Sequence, residues 1–341
     1  MMFGRRGRQR FLEAVAGFDA AVRERDEDRT RRAYREMHRR FEGAERHEIV
    51  QAAPRLAALL PELPAGPDTM VAIVIGACVE RGADPAGCAP AIFHGLDWAL
   101  DATGEFCARW SATGGGDFPE PDHGDPAPAV VERVGMEAAL GWWLLPRWET
   151  AAVALLGHAA VRTGLDAAWR ARVLRALRSV EEASGHAFKC LVYALLVLDD
   201  EPLVVLHRPS GTGYAMRMSG IGDNFQLHTL LADVLVGGGH VAGRAPSAPE
   251  AAVCRDAPGQ VPTTGAFNLV TPGGEWVWNE GTPGDIPVVD GVRLLVLDPP
   301  PYERSWPAGR FFPGMTGDLL LERVLDADET RAWLGSCAPA R

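Results

Sequence analysis

Apolar residues recur at a helical spacing through the first half of the chain and gather into short, strand-like runs in the second. Phe11 to Val22 puts Leu12, Val15, Phe18 and Val22 on one face and predicts an amphipathic helix. Arg23 to Arg46 is dense in mixed charge, with Tyr34, Met37 and Phe41 as one thin stripe. It reads as a solvated helix in which Glu27 and Arg31, or Asp28 and Arg32, support each other across a turn. Helices are expected next over Glu48 to Leu60, Thr69 to Arg81 and Pro85 to Thr103, joined by short Pro or Gly turns that make antiparallel neighbours. They resume over Val130 to Leu145 and Glu149 to Arg162, with Pro146, Arg147 and Glu149 interrupting the apolar pattern. Asp166 to Ala183 has the clearest signals: Asp166 for the cap, Trp169, Val173, Leu177 and Val180 for the buried stripe, and Gly185 for the stop.

From Phe188 the pattern changes. The run Cys190 to Leu198 reads as a buried strand, and Leu203 to Leu206 and Tyr214 to Met218 as two more. The last of these breaks at Ser219-Gly220-Ile221-Gly222-Asp223-Asn224 and becomes a helix with Leu227, Leu230, Leu231, Val234 and Leu235 on its buried face. Asp223 and Gln226 have the spacing of a capping box. Further strands are predicted over Ala266 to Thr271, Glu275 to Asn279, Val292 to Asp298 and Asp318 to Leu325, and a short helix over Asp328 to Leu334. Helices first and strands afterwards imply an α+β chain, with a helical array or bundle over 1–186 and a mixed-sheet domain over 187–341. Two Gly/Pro-rich segments stand out, a mobile loop at 112–129 and a connector at 237–265.

The 341 residues have the apolar and charged fractions of a globular protein, 47% and 23%, and a net charge of −11. That charge argues against nucleic acid as a partner. No apolar run approaches the roughly 20 residues of a membrane span, and no apolar run follows the basic Met1 to Arg10, so neither a membrane nor a secretory signal is expected. The six cysteines show no Cys-x-x-Cys spacing and suit a reducing cytoplasm. Lys189 is the sole lysine, so Schiff-base chemistry would fall to it alone. In the loop, His123 with Asp117, Asp122 and Asp125 can chelate a metal only by ordering on binding, and neither metal nor cofactor is expected.

Two constellations carry candidate chemistry. The first is the strand-to-helix bend, with Ser219, Gly220, Gly222 and Asn224 as ligand contacts and His207 and His228 as bases. The same glycines and the Asp223–Gln226 pair are equally explained by making the turn. No nucleotide-loop or nucleophile-elbow motif surrounds it. The second is the loop group of Trp276, Trp278, Glu280, Asp285, Tyr302, Arg304, Trp306 and Arg310. Its aromatics and arginines suit a partner surface or a small-molecule cleft with Glu280 or Asp285 as the acid, or Glu280 as a base, and they suit a sheet plug equally well.

No family signature is visible in these patterns. The leading expectation is an interaction or accessory protein that presents a helical surface and an aromatic-rich sheet domain to another protein or a small molecule. The alternative is an acyl or glycosyl hydrolase or transferase with its site between the 219–224 bend and the 276–310 loops, where Trp278, Tyr302, Arg304 and Trp306 would hold the ligand.

Overall fold

The computed structural model describes residues 10–121 and 124–339. Asp122 and His123 of the loop's metal-chelating group, and all of the basic N-terminal stretch but Arg10, lie outside these residues. The chain is α+β, and it divides after Leu195 into two compact units.

The first unit is helical: α1 (Arg10–Arg23), α2 (Glu27–Phe41), α3 (Arg46–Leu59), α4 (Pro67–Glu80), α5 (Ala89–Ala112), α6 (Pro128–Val134), α7 (Met136–Leu156), α8 (Ala159–Thr163), α9 (Ala167–Ser184) and α10 (Lys189–Leu196). Asp166 caps α9 by accepting from the Trp169 N–H, and Gly185 ends it at φ 73°. In α2 the expected four-residue pairings give way to others: Arg31 reaches Asp28 at 4.0 Å, and Glu36 holds Arg40 at 2.7 Å. The buried Glu48 accepts from the Phe11 and Leu12 N–H groups at 3.0 and 3.3 Å, supplying partners that the first turn of α1 lacks.

Two expectations fail in this unit. α7 runs unbroken through Pro146, because a proline there costs about 3 kcal/mol and the buried Leu145, Trp148, Leu155 and Leu156 return more than that. Cys190 to Leu198 is largely helical, not a strand: Leu191, Ala194 and Leu195 are its buried positions, a spacing of three and four that the continuous apolar run had masked. The stretch from 113 to 127 has no helix or strand among its described residues. It is nonetheless tied to the helices by Phe118, which packs on Phe106, Trp110 and Trp142, and by Arg133, which donates to the Gly115 carbonyl at 2.7 Å.

The second unit is built on a sheet in the order β4-β6-β1-β2-β8. Its strands are β1 (Glu201–His207), β2 (Thr212–Ser219), β4 (Asn268–Val270), β6 (Val292–Asp298) and β8 (Asp318–Val324), with β5 (Val288–Val289) beside β6. β1 and β6 run parallel, and the other pairings are antiparallel. Both faces are covered, which explains the unbroken apolar runs of β1 and β6. Leu203, Val205, Leu295 and Leu297 face the cluster that includes Leu227, Leu230 and Leu231 of α11 (Asn224–Ala232). Val204, Leu206, Leu294 and Val296 face Trp333 and Leu334 of α13 (Ala327–Gly335).

The 237–265 segment contains α12 (Ala248–Arg255) and β3 (Val261–Thr264), the latter paired with β7 (Ser305–Ala308). Ser247 and Glu250 form a full capping box on α12, a local signal present in the sequence. Glu275 to Asn279 is not a strand; it makes one bridge, Val270 to Trp276, after a Pro-Gly-Gly turn.

Candidate functional site

The bend at 219–224 is held by its own chain. Ser219 Oγ accepts from the Asp200 N–H at 2.8 Å. Gly220 sits at φ +66°, and a Cβ there would lie 2.0 Å from the Thr316 carbonyl oxygen. The Gly222 N–H donates to Gln226 Oε1 at 2.9 Å, so Gln226 closes the bend rather than reaching back to Asp223 as a capping box requires. The N–H groups that open α11 are also spoken for. Asn224 donates to the Gly281 carbonyl, Phe225 to that of Asn279, and Gln226 to Asp223 Oδ1. An anion therefore finds no unpaired donors at these three positions.

His228 is 1% exposed, and its surroundings fix its chemistry. Nε2 accepts from the Ala266 and Phe267 N–H groups, both at 3.1 Å, so the neutral ring carries its proton on Nδ1. The imidazole lies 4.8 Å from the Trp306 ring and stacks on Phe267 at 6.0 Å. Burial pushes its pKa down to about 3, and the Arg304 charge adds to the shift, while the Asn279 side chain opposes it. A ring whose only lone pair is committed to two backbone donors is not a general base. Asn224 Oδ1 and Trp306 Nε1 are buried beside it with no hydrogen-bond partner among the described residues, which makes the cluster costly to bury.

The remaining candidates are dispersed. His207 ends β1, and its Nδ1 lies 2.7 Å from Ser210 Oγ; burial lowers its pKa, while Asp298 opposes that shift. Asp298 itself is bound by Arg208 at 2.7 Å. Glu280 is exposed on the loop after Asn279. Trp278 is 68% exposed beside Trp276, and Tyr302 is exposed under the Arg304 guanidinium. Trp306 is buried, as the sheet-plug reading expects of an aromatic. Asp285 accepts from the Thr282 N–H, and Arg310 donates to the carbonyls of Arg255, Ala257 and Met315; both hold loops together.

The helical unit contains a feature that the sequence reading missed, a groove of about 1390 Å³. Phe18 and Val22 of α1, Tyr34 of α2, Met70 and Ile73 of α4, and Trp143, Pro146 and Arg147 of α7 line it, with Leu63 to Pro67 along one edge. Tyr34 packs edge-on against Phe18 at 6.2 Å, which turns its hydroxyl-bearing ring into the wall. That hydroxyl reaches the Met70 carbonyl at 3.5 Å, the outer limit of a hydrogen bond. Burial raises the Tyr34 pKa against the opposing influence of Arg147, so the phenol is a neutral donor at neutral pH. Arg147 is half-buried and makes no close ion pair among the described residues. The other charged groups of the lining, Arg25, Glu27, Arg31, Glu62 and Asp125, are exposed.

A local signal for this site existed. Arg147 sits in the middle of an otherwise apolar helical stretch, and Tyr34 lies on the thin stripe of a charged helix. No group of three or more His, Cys, Asp or Glu side chains among the described residues is arranged to hold a metal ion. No described helix is long and apolar enough to cross a membrane. Compared with protein-family models, with curated proteins and with solved structures, the chain gives no match.

Proposed function

We propose that the protein works by binding, as an interaction or accessory protein, and that the groove of the helical unit is its binding site. The observation that carries this reading is the groove itself. It exceeds the roughly 300–1,000 Å³ of ordinary small-molecule pockets, is walled largely by apolar side chains with other charged groups exposed around them, and contains a half-buried phenol and a half-buried guanidinium that makes no close ion pair among the described residues. The engagement of His228 and of the α11 N-terminus by the chain's own backbone counts against catalysis and anion binding at the bend, which leaves the groove as the favoured site. Six free thiols and a net charge of −11 fit a reducing cytoplasm and partners other than nucleic acid.

Titration with the neutral, polarity-sensitive dye Nile red tests the proposal. Saturable fluorescence enhancement is expected in the wild type and loss of it in Thr150→Trp, which fills the groove from an exposed position. Equal binding by the two proteins removes the groove as the site. One observation favours the enzymatic alternative, the 2.7 Å contact between His207 and Ser210 with the histidine held neutral. Labelling of Ser210 by a fluorophosphonate would support it.

A further inference from the structure

We infer that the groove's ligand is a free long-chain carboxylic acid, its head group bound between Arg147 and Tyr34 and its chain laid along Phe18, Val22, Ile73 and Trp143. The inference rests on the groove being the binding site and adds the class of molecule that fits it. A half-buried guanidinium that makes no close ion pair among the described residues is costly, and a carboxylate matches its planar fork with two charge-assisted hydrogen bonds. Tyr34 supplies a further donor at the same place. Its present contact with the Met70 carbonyl is so long, 3.5 Å, that exchanging it for a carboxylate oxygen loses little. Its ring lines the same groove as Arg147, near enough for the guanidinium charge to act on the phenol.

The apolar part of the ligand follows from the walls and the volume. A compact polar metabolite would leave most of the lining wet, whereas an extended alkyl chain buries it at about 25 cal/mol per Å². The acids of the groove do not reverse the preference for an anion. Glu27, Glu62 and Asp125 are exposed and act through water and salt, and Glu62 lies 3.8 Å from Arg23. Arg147 acts from a half-buried position, where the same charge counts for more.

The test is competition against Nile red on the full chain, with hexadecanoate, hexadecan-1-ol and hexadecyltrimethylammonium below their micelle concentrations. Hexadecanoate is expected to bind at least about tenfold more tightly than the alcohol, and the ammonium compound least tightly. That preference for acid over alcohol should collapse in Arg147→Gln and persist, reduced, in Arg147→Lys. Equal displacement by acid and alcohol in the wild type, or an undiminished preference in Arg147→Gln, overturns the proposal. The comparison among ligands needs no variant, so it decides the matter even if Arg147→Gln misfolds. Saturable Nile red binding without head-group discrimination removes the acid and leaves the groove as a binding site. Absence of Nile red binding removes both.

Discussion

Stability of the sheet unit should fall in mild acid because of one residue, His228. An unfolded histidine protonates near pH 6.5, whereas the buried ring resists protonation until about pH 3. Below pH 6.5 the unfolded chain therefore binds a proton that the folded chain refuses, so acid favours unfolding. The loss begins at the unfolded pKa and grows until the folded ring also titrates. Each pH unit in that window is worth about 1.36 kcal/mol, so moving from pH 7 to pH 5 costs about 2 kcal/mol from this residue alone. Replacement by glutamine keeps an acceptor near Nε2 for the Ala266 and Phe267 N–H groups and removes the titration. Urea unfolding of the wild type and of His228→Gln at pH 7 and pH 5, read by hydrogen-exchange protection of the α11 segment, isolates the term. The other histidines are common to both proteins and cancel in the double difference. The wild type should lose about 2 kcal/mol more than the variant. Parallel losses within about 0.5 kcal/mol would refute both the neutral ring and the assignment of its lone pair.

Two further outcomes follow from backbone geometry and thiol burial. Gly220→Ala should lower stability by about 3 kcal/mol, from its positive φ together with the approach of the Thr316 carbonyl, whereas Gly211→Ala, also at positive φ but with open space around it, should cost only about 1; equal melting temperatures for the two variants would contradict the close approach. Iodoacetamide at pH 8 should alkylate the exposed Cys190 first and spare Cys78, whose thiol burial pushes up to about 12, and Cys88 and Cys254, pushed up to about 11. Peptide mapping showing comparable rates at all four would contradict the packing of the buried three.

The ease of reading the sequence varied with the range of the interaction that made each feature. α9 was legible end to end because Asp166, the stripe from Trp169 to Val180 and Gly185 all act within a few residues of one another. β6 was legible over Val292 to Asp298 for the same reason, since its apolar run is bounded by a turn on one side and three prolines on the other. Cys190 to Leu198 was not, because an unbroken apolar run has no period and its neighbours decide between helix and strand. α12 lay in a Gly/Pro-rich stretch whose composition outweighed its capping box. Pro146 looked like a stop, and the packing of α7 on either side overrode it.

The candidate site divides along the same line. The sequence by itself determined the order of helices before strands, the apolar faces of α9 and α11, and the turn that Gly220 makes possible. Each of these follows from side-chain spacing along a few turns of chain and from glycine's freedom at positive φ. Only the tertiary structure decided what His228 and Arg147 face. His228 gives its lone pair to backbone groups 38 and 39 residues away, which turns a candidate base into a fixed acceptor. Arg147 and Tyr34 line one groove whose walls come from four helices, and no local pattern records that they share it. Hydrogen bonding and charge act through space at a few ångströms, and the folded chain sets those distances without regard to separation in sequence.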